Sequence, residues 1–308
     1  MGLTITLNSR YLRGRCVAGG AAVARLLPLI FVVLWASAFV SSKIIVADAT
    51  PFAALTLRYV IVSAGFLIVA AIWRENLRAA PDDIGAAALI GVLFHGVSIG
   101  SVFFAVSVGL PAGIAALINS IHPILTNALA GPLLGERVSL RQWLGIVLGF
   151  GGVVVVLGAD VGANLPAAGV MAAIAGLFAL SAATLWQRKR ANRLSLTVTN
   201  FYQAAAAVLF HLAVMALIET PAITVTLPFA VSLGWQIVAI SFGAFTILLI
   251  LLKSGSASQT SALFFLVPPV SILMAWVLLG ETLTTVDLIG LAIATIGVYL
   301  ATRGTPAR

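Results

Sequence analysis

Charged side chains are scarce in this sequence. Of 308 residues 8% are Asp, Glu, Lys or Arg, and 61% are hydrophobic. A soluble domain carries roughly 25% charged residues. That deficit excludes a water-facing surface over most of the chain. There is one cysteine, Cys16, which excludes an intrachain disulfide and leaves no thiol-ligated metal cluster to build. The three histidines, His95, His122 and His211, are far apart and form no HExxH pattern. A GxSxG string occurs at Gly96–Gly100, but inside an apolar run and not at the strand-to-helix turn of a nucleophile elbow, and no Walker A phosphate loop is present. No cofactor, metal or catalytic residue is therefore expected. The nine acidic residues (Asp48, Glu75, Asp82, Asp83, Glu136, Asp160, Glu219, Glu281, Asp287) all fall in or beside predicted loops. No carboxylate relay through a membrane interior is available, so a proton path would fall to His95 and His122.

What the chain has in abundance is long apolar runs, each near the length of about 20 residues that spans a hydrocarbon core. Ten are expected: Leu26–Val46, Phe52–Trp73, Ile84–Val106, Ala112–Leu133, Leu140–Leu157, Ala168–Gln187, Thr197–Ile218, Val231–Leu252, Ser258–Leu279 and Thr285–Ala301. Residues 1–25 are basic and weakly patterned and are expected to be a disordered tail; no cleavable signal peptide is evident. The net charge of +8 is a topology signal rather than a nucleic-acid footprint. With the N-terminus inside, inner segments collect Arg10, Arg13, Arg15, Arg25, Arg74, Arg78, Arg137, Arg141, Arg188, Lys189, Arg190, Arg193, Lys253, Arg303 and Arg308. Short cytoplasmic loops carry this excess. The expectation is an all-α integral membrane protein of ten helices with both termini cytoplasmic.

The stretch 111–153 is written twice. Moved by 145 positions it meets 256–298, with identities at Pro123/Pro268, Gly135/Gly280, Glu136/Glu281, Gly145/Gly290 and Gly152/Gly297. Five helices per period is an odd number, so the second half (168–302) must enter the membrane opposite to the first (26–158). Inverted repeats of this kind recur in secondary transporters, with the substrate near the midplane.

These motifs resemble a known family. Trp35, Ser37 and Lys43, then Leu57-Arg58-Tyr59, look like the start of an EamA-type domain. The two Pro…Gly-Glu…Gly sets look like the ends of two such domains. The chain is similar to the drug/metabolite transporter superfamily over roughly Leu26 to Ala301. The resemblance implies a ten-helix exporter or exchanger of small metabolites in a bacterial cytoplasmic (inner) membrane. The second half departs from the pattern at its start: no Trp maps onto Trp35, and Gln203 stands where Arg58 would.

Site candidates follow from helical spacing. Asn119, His122 and Thr126 share a face of the fourth helix; Thr260, Phe264 and Ser271 share one on the ninth. Pro123 and Pro268 lie within these stripes as candidate hinges. His95 and Ser98 on the third helix, Trp35 and Ser37 on the first, and Phe242 and Phe245 on the eighth complete the candidate cavity. Ser181, Trp186 and Gln187 are further candidates, while His211 is expected to pack. Interhelical hydrogen bonding is the competing role for the polar ones. Lys43 and Arg58 are expected near the outer ends, attracting an anionic group, snorkelling to headgroups or pairing with Asp48. Gly135, Glu136, Gly280 and Glu281 are expected to be helix-end architecture. Small residues at 145, 149 and 152, echoed at 290, 294 and 297, predict tight helix packing within one chain or across a homodimer. The function classes left open are a transporter of amino acids or drug-like amphipathic compounds, a non-transporting sensor or scaffold, and an intramembrane enzyme. The expected partners are a small-molecule substrate and the lipid bilayer, with no nucleic acid.

Overall fold

The computed structural model describes residues 17–110, 115, 118, 119, 121–135, 138–158, 165–190, 194–254, 257–279 and 284–302. Among these, the regular structure is helical, save one isolated antiparallel bridge between Ala49 and Ile223. Glu136, Gly280 and Glu281 lie outside the described residues.

The rods run in chain order. α1 is Val17–Asp48 and α2 is Pro51–Ile72. α3 is continuous from Pro81 to Ser107 but opens into a π-helix at Val92–Ile99. α4 is His122–Leu134, α5 Leu140–Gly158, α6 Ala167–Arg190 and α7 Leu196–Ile218. α8 runs Leu227–Ser254 with a π-helix at Gln236–Ala244. α9 has three pieces: Ala257–Ala262, a 3₁₀ turn Leu263–Leu266, and Val267–Leu279. α10 is Thr285–Thr302. Six of these are long and apolar enough to cross a bilayer: α1 from Leu26, α2, α3, α6, α7 and α8. The protein is a multi-pass helical membrane protein.

One boundary differs from the sequence expectation. α1 begins at Val17, so the stretch expected as a disordered tail ends in helix. Residues 17–25 are rich in Ala, which holds a helix at the least conformational cost and lets it propagate outward from the span.

The backbone follows the 145-residue period throughout. α2 moved by 145 covers 196–217, where α7 lies. The last piece of α9 coincides with shifted α4. The π-helix at 92–99 moves to 237–244, inside the second π-helix. π-helices are rare, so a matched pair at one register is a property of the repeat and not a local accident.

Repeat mates also pack on each other. A Cβ placed on Gly145 would lie 2.4 Å from the Ala301 nitrogen, one on Gly152 2.4 Å from that of Ala294, and one on Gly297 2.2 Å from that of Gly149. α5 and α10 thus meet backbone to backbone, and the small-residue stripes are spent inside a single chain. α2 and α7 form the other such pair. At the end of the bundle formed by the α1–α2 turn, the Glu219 carboxylate accepts from the backbone N–H groups of Phe52 (3.3 Å) and Ala53 (2.7 Å). It satisfies two of the donors that open α2. Thr226 donates to Asp48 there at 2.6 Å. At the opposite, arginine-rich end, Ser195 caps α7 by accepting from Val198 N–H and donates to Glu75. Arg190 faces Asp83 at 3.6 Å, and Arg188 and Lys253 donate to the carbonyls of Leu252 and Leu194. Thr50 and Ser195 are themselves 145 apart, and each of α2 and α7 begins beside a glutamate from the end of the other: Glu219 holds first-turn amides of α2, and Glu75 holds the capping hydroxyl of α7.

Helix ends obey the local chemistry read from the sequence. Gly135 closes α4 at φ +69°, the left-handed position that glycine takes without a Cβ penalty. Ser139 and Gln142 form a reciprocal capping box at the start of α5: Ser139 N–H donates to Gln142 Oε1 (2.8 Å) and Gln142 N–H to Ser139 Oγ (3.3 Å).

Candidate functional site

A cavity of about 690 Å³, counting space that is open to solvent, lies where the two halves meet. Its wall draws on α1 (Trp35, Phe39, Ser42), α2 (Arg58), α3 (Ser98, Ile99, Val102, Phe103) and Asn119 from the first half. The second half supplies Leu180 of α6, Gln236 and Ile240 of α8, and Phe264, Val267 and Pro268 of α9. The wall is mostly apolar and aromatic with a few polar groups, the composition of a small-molecule site.

Its floor is a cluster of rings. Trp35 packs on Phe31, Phe94 and Phe264 at centroid distances of 5.3, 5.8 and 5.5 Å. Phe94 meets Phe245 edge-on at 4.8 Å. Below these rings, toward the arginine-rich end, Ile90, Leu248, Leu249 and Leu252 are buried in the same core. The cavity therefore occupies the half of the bundle nearer the α1–α2 turn.

The polar centre of the wall is Arg58, which is 2% exposed. Its Nε and Nη2 donate to Ser241 Oγ at 3.1 and 3.0 Å, and its guanidinium carbon lies 5.2 Å from the Tyr59 ring centre. Ser241 spends its own hydrogen on the Gln236 carbonyl, five residues back, at 3.1 Å. That carbonyl belongs to the π-helix, so the widened turn creates the seat on which the arginine rests. Among the described residues no carboxylate faces Arg58. The sequence places Arg58 near the outer headgroups; the structure buries it in the cavity wall, because it lies two turns into α2. Asp48 is engaged with Thr226 instead. Lys43 is exposed.

The remaining candidates divide. Trp35, Ser98, Asn119, Phe264 and Pro268 stand in the wall. His95 does not: it turns to Tyr59 Oη at 2.9 Å and to the Phe245 ring. His122 and Thr126 are buried off the cavity, His122 Nδ1 lying 3.1 Å from Ser181 Oγ and 3.2 Å from Thr126 Oγ1. Ser37 accepts from Trp235 Nε1 (2.8 Å) and donates to the Leu34 carbonyl. Ser271 bridges α9 to α1 by donating to the Ala36 carbonyl at 3.1 Å. Phe242 packs on Phe66 at 4.5 Å, so it forms no common wall with Phe264. Thr260 is buried in the first piece of α9, against α4, α6 and α10. Pro123 sits in the first turn of α4, after a tight turn in which Ile121 N–H reaches the Ile118 carbonyl. Pro268 follows the 3₁₀ turn of α9 in the same register. Gln187 accepts from Gln203, Trp186 is exposed beneath Lys189, and His211 is stacked on Tyr59.

Sequence reasoning missed Ser42, Phe103, Gln236, Ser241 and Ile240. Gln236 had a signal, being an amide inside an apolar run. It is 1% exposed and donates to the Ala38 carbonyl and Ser41 Oγ, while its Oε1 has no partner. Asn119 donates to the Ala115 carbonyl, and its buried Oδ1 likewise has none.

A multi-pass bundle with a central, mostly apolar cavity between sequence repeats defines a membrane carrier class. The chain belongs to the EamA-like transporter family, whose model matches it twice, at residues 23–158 and 167–303. A probable amino-acid metabolite efflux pump of Salmonella typhimurium is 28% identical, over 92% of this chain and 95% of that one. A probable terminal-alkyne amino-acid exporter of Streptantibioticus cattleyicolor is 30% identical, over 90% and 92%. The uncharacterized transporter YvbV of Bacillus subtilis is 26% identical, over 92% of each. A crystal structure shares the fold with a TM-score of 0.74, at 23% identity over 91% of this chain and 96% of that one.

Proposed function

We propose that this transporter moves small amphipathic metabolites such as amino acids out of a bacterial cell across the cytoplasmic membrane. In this reading the chain makes ten spans as two inverted five-helix repeats, with both termini in the cytoplasm. Alternating access about the central cavity carries the substrate. The observation that carries the reading is a cavity walled by both repeats, floored by the Trp35–Phe264–Phe94 cluster and occupying one half of the bundle. Placing the basic end in the cytoplasm by charge makes this an outward-facing arrangement. The names of the relatives support export and the amino-acid class.

Exchange or facilitated diffusion fits better than proton antiport. Among the described residues no carboxylate lines the cavity, and His95 and His122 both turn away from it. Purified protein in sealed proteoliposomes loaded with a mixed amino-acid pool tests this. Efflux and counterflow above protein-free vesicles are expected, with rates unchanged by an imposed pH gradient. Binding without flux would leave a sensor or scaffold. Flux that follows the pH gradient would replace exchange with proton coupling.

A further inference from the structure

Among the described residues, the cavity wall includes one cation, two amides whose oxygens are buried without donors, and no acid. An arginine in a cavity wall without a carboxylate is costly unless something completes it. Its bonds to Ser241 use one hydrogen on Nε and one on Nη2, leaving three guanidinium N–H groups. Those three include an Nη1–Nη2 edge, the fork that matches a carboxylate. Ser241 cannot neutralise the charge; it fixes the direction in which the guanidinium lies.

The two oxygens ask for the opposite partner. Gln236 has both amide hydrogens directed at α1, toward the Ala38 carbonyl and Ser41, so its Oε1 orientation is set by the network. Asn119 is set in the same way by the Ala115 carbonyl. Both residues line the cavity, and both oxygens are buried without a donor. Buried acceptors in a native structure are normally satisfied. An ammonium carries three donors and no acceptor, and meets such a pair without needing a counter-acid. The rest of the wall, Trp35, Phe39, Phe103, Ile240 and Phe264, offers apolar and aromatic surface.

We propose that the cavity is built around the head group of an α-amino acid. Arg58 takes the carboxylate, the side-chain oxygens of Asn119 and Gln236 take the ammonium, and the aromatic wall takes an apolar side chain. Ser241 is a positioning residue, acting through Arg58, and the α8 π-helix is what supplies it. This assignment rests on the transport reading above and adds to it the residues that select the head group.

Three probes of one size separate the halves of the assignment: L-phenylalanine, L-phenylalaninamide, which lacks the carboxylate, and 3-phenylpropionate, which lacks the ammonium. Binding is read by thermal stabilisation of the detergent-solubilised protein and flux in proteoliposomes. The wild type is expected to bind phenylalanine at least about tenfold more tightly than either analogue, the size of one lost charge-assisted contact. Arg58→Gln should erase the preference over the amide and spare the preference over the propionate. Asn119→Ala should do the reverse. Ser241→Ala should lower the phenylalanine-to-amide ratio while leaving amide binding unchanged, which a merely structural defect would not do. Arg58→Lys keeps a charge at the site and should retain part of the preference, guarding against misfolding of the glutamine variant. Equal binding of phenylalanine and its amide by the wild type, or a ratio untouched by Arg58→Gln, overturns the proposal. Arg58-independent flux of the three probes would sink the head-group assignment and leave the transport reading standing. Arg58-dependent binding without flux would do the opposite.

Discussion

Arg58 and Gln203 occupy the same position in two copies of one helix, and they live in different worlds. Arg58 lies at the cavity wall, seated on Ser241. Gln203 is wholly buried and donates to Gln187, and its α7 backbone presses on α3 so closely that a Cβ on Gly91 would lie 2.3 Å from its carbonyl oxygen. The neighbouring mates diverge in step: Tyr59 answers Ala204, and Ser241 answers Gly96. The backbone has kept the repeat, down to both π-helices, while the side chains at these mated positions have made Arg58 a wall group and Gln203 a packing one. Symmetry here governs where rods lie and what can bend. It does not govern what is bound.

Moving the charge across the pseudo-symmetry breaks that comparison most severely. Gln203→Arg would bury a cation with no acid and no Ser241 counterpart. A loss of about 3–5 kcal/mol is expected, read as a large fall in thermal denaturation midpoint of the solubilised protein. Next comes the shared scaffold. Gly297→Val would drive a branched side chain into the Gly149 backbone and should cost about 1–3 kcal/mol or more, by the same measurement. Gly151→Ala, on the same α5 but with nothing within 4 Å of the added carbon, should cost nothing and should raise the midpoint slightly, a gain of up to about 1 kcal/mol, because alanine holds a helix better than glycine. The end clasps give a smaller and paired effect. Glu219→Ala and Ser195→Ala each remove a cap from α2 or α7, and each should cost about 1 kcal/mol. Unequal losses would show that the two ends are not equivalent. Smallest in stability is Arg58→Gln, which makes the two halves alike. Its midpoint should stay level or rise, since an unpaired buried charge is removed, and the change should fall on substrate selection.

Much of the architecture was legible in the sequence, and the reasons are physical. Apolar runs of bilayer length and Pro or Gly at the breaks marked the rods. The 145-residue period marked their mates, and the small-residue stripes marked the α5–α10 contact. The Ser139–Gln142 box was readable because capping needs two residue types at fixed spacing. The site was harder. Ser98 and His95 were placed on one face by a spacing of three, but the π-helix widens that turn, and Ser98 reaches the cavity while His95 reaches Tyr59. Asn119 and His122 part in the same way, across the tight turn before Pro123. The face rule assumes an unbroken α-helix, and it failed where the backbone departs from one. Arg58 was misplaced by depth, since a residue number counts turns along a helix and does not show what packs over it. Ser241 was invisible because its role depends on a carbonyl that only the π-helix releases.

Where α5 and α10 cross at Gly145, Gly152 and Gly297 there is room for neither a side chain nor a lipid tail. Backbones this close leave little freedom for one rod to roll over the other. The two rods act as a keel through the body of the protein, and any breathing of the cavity has to be hinged away from it.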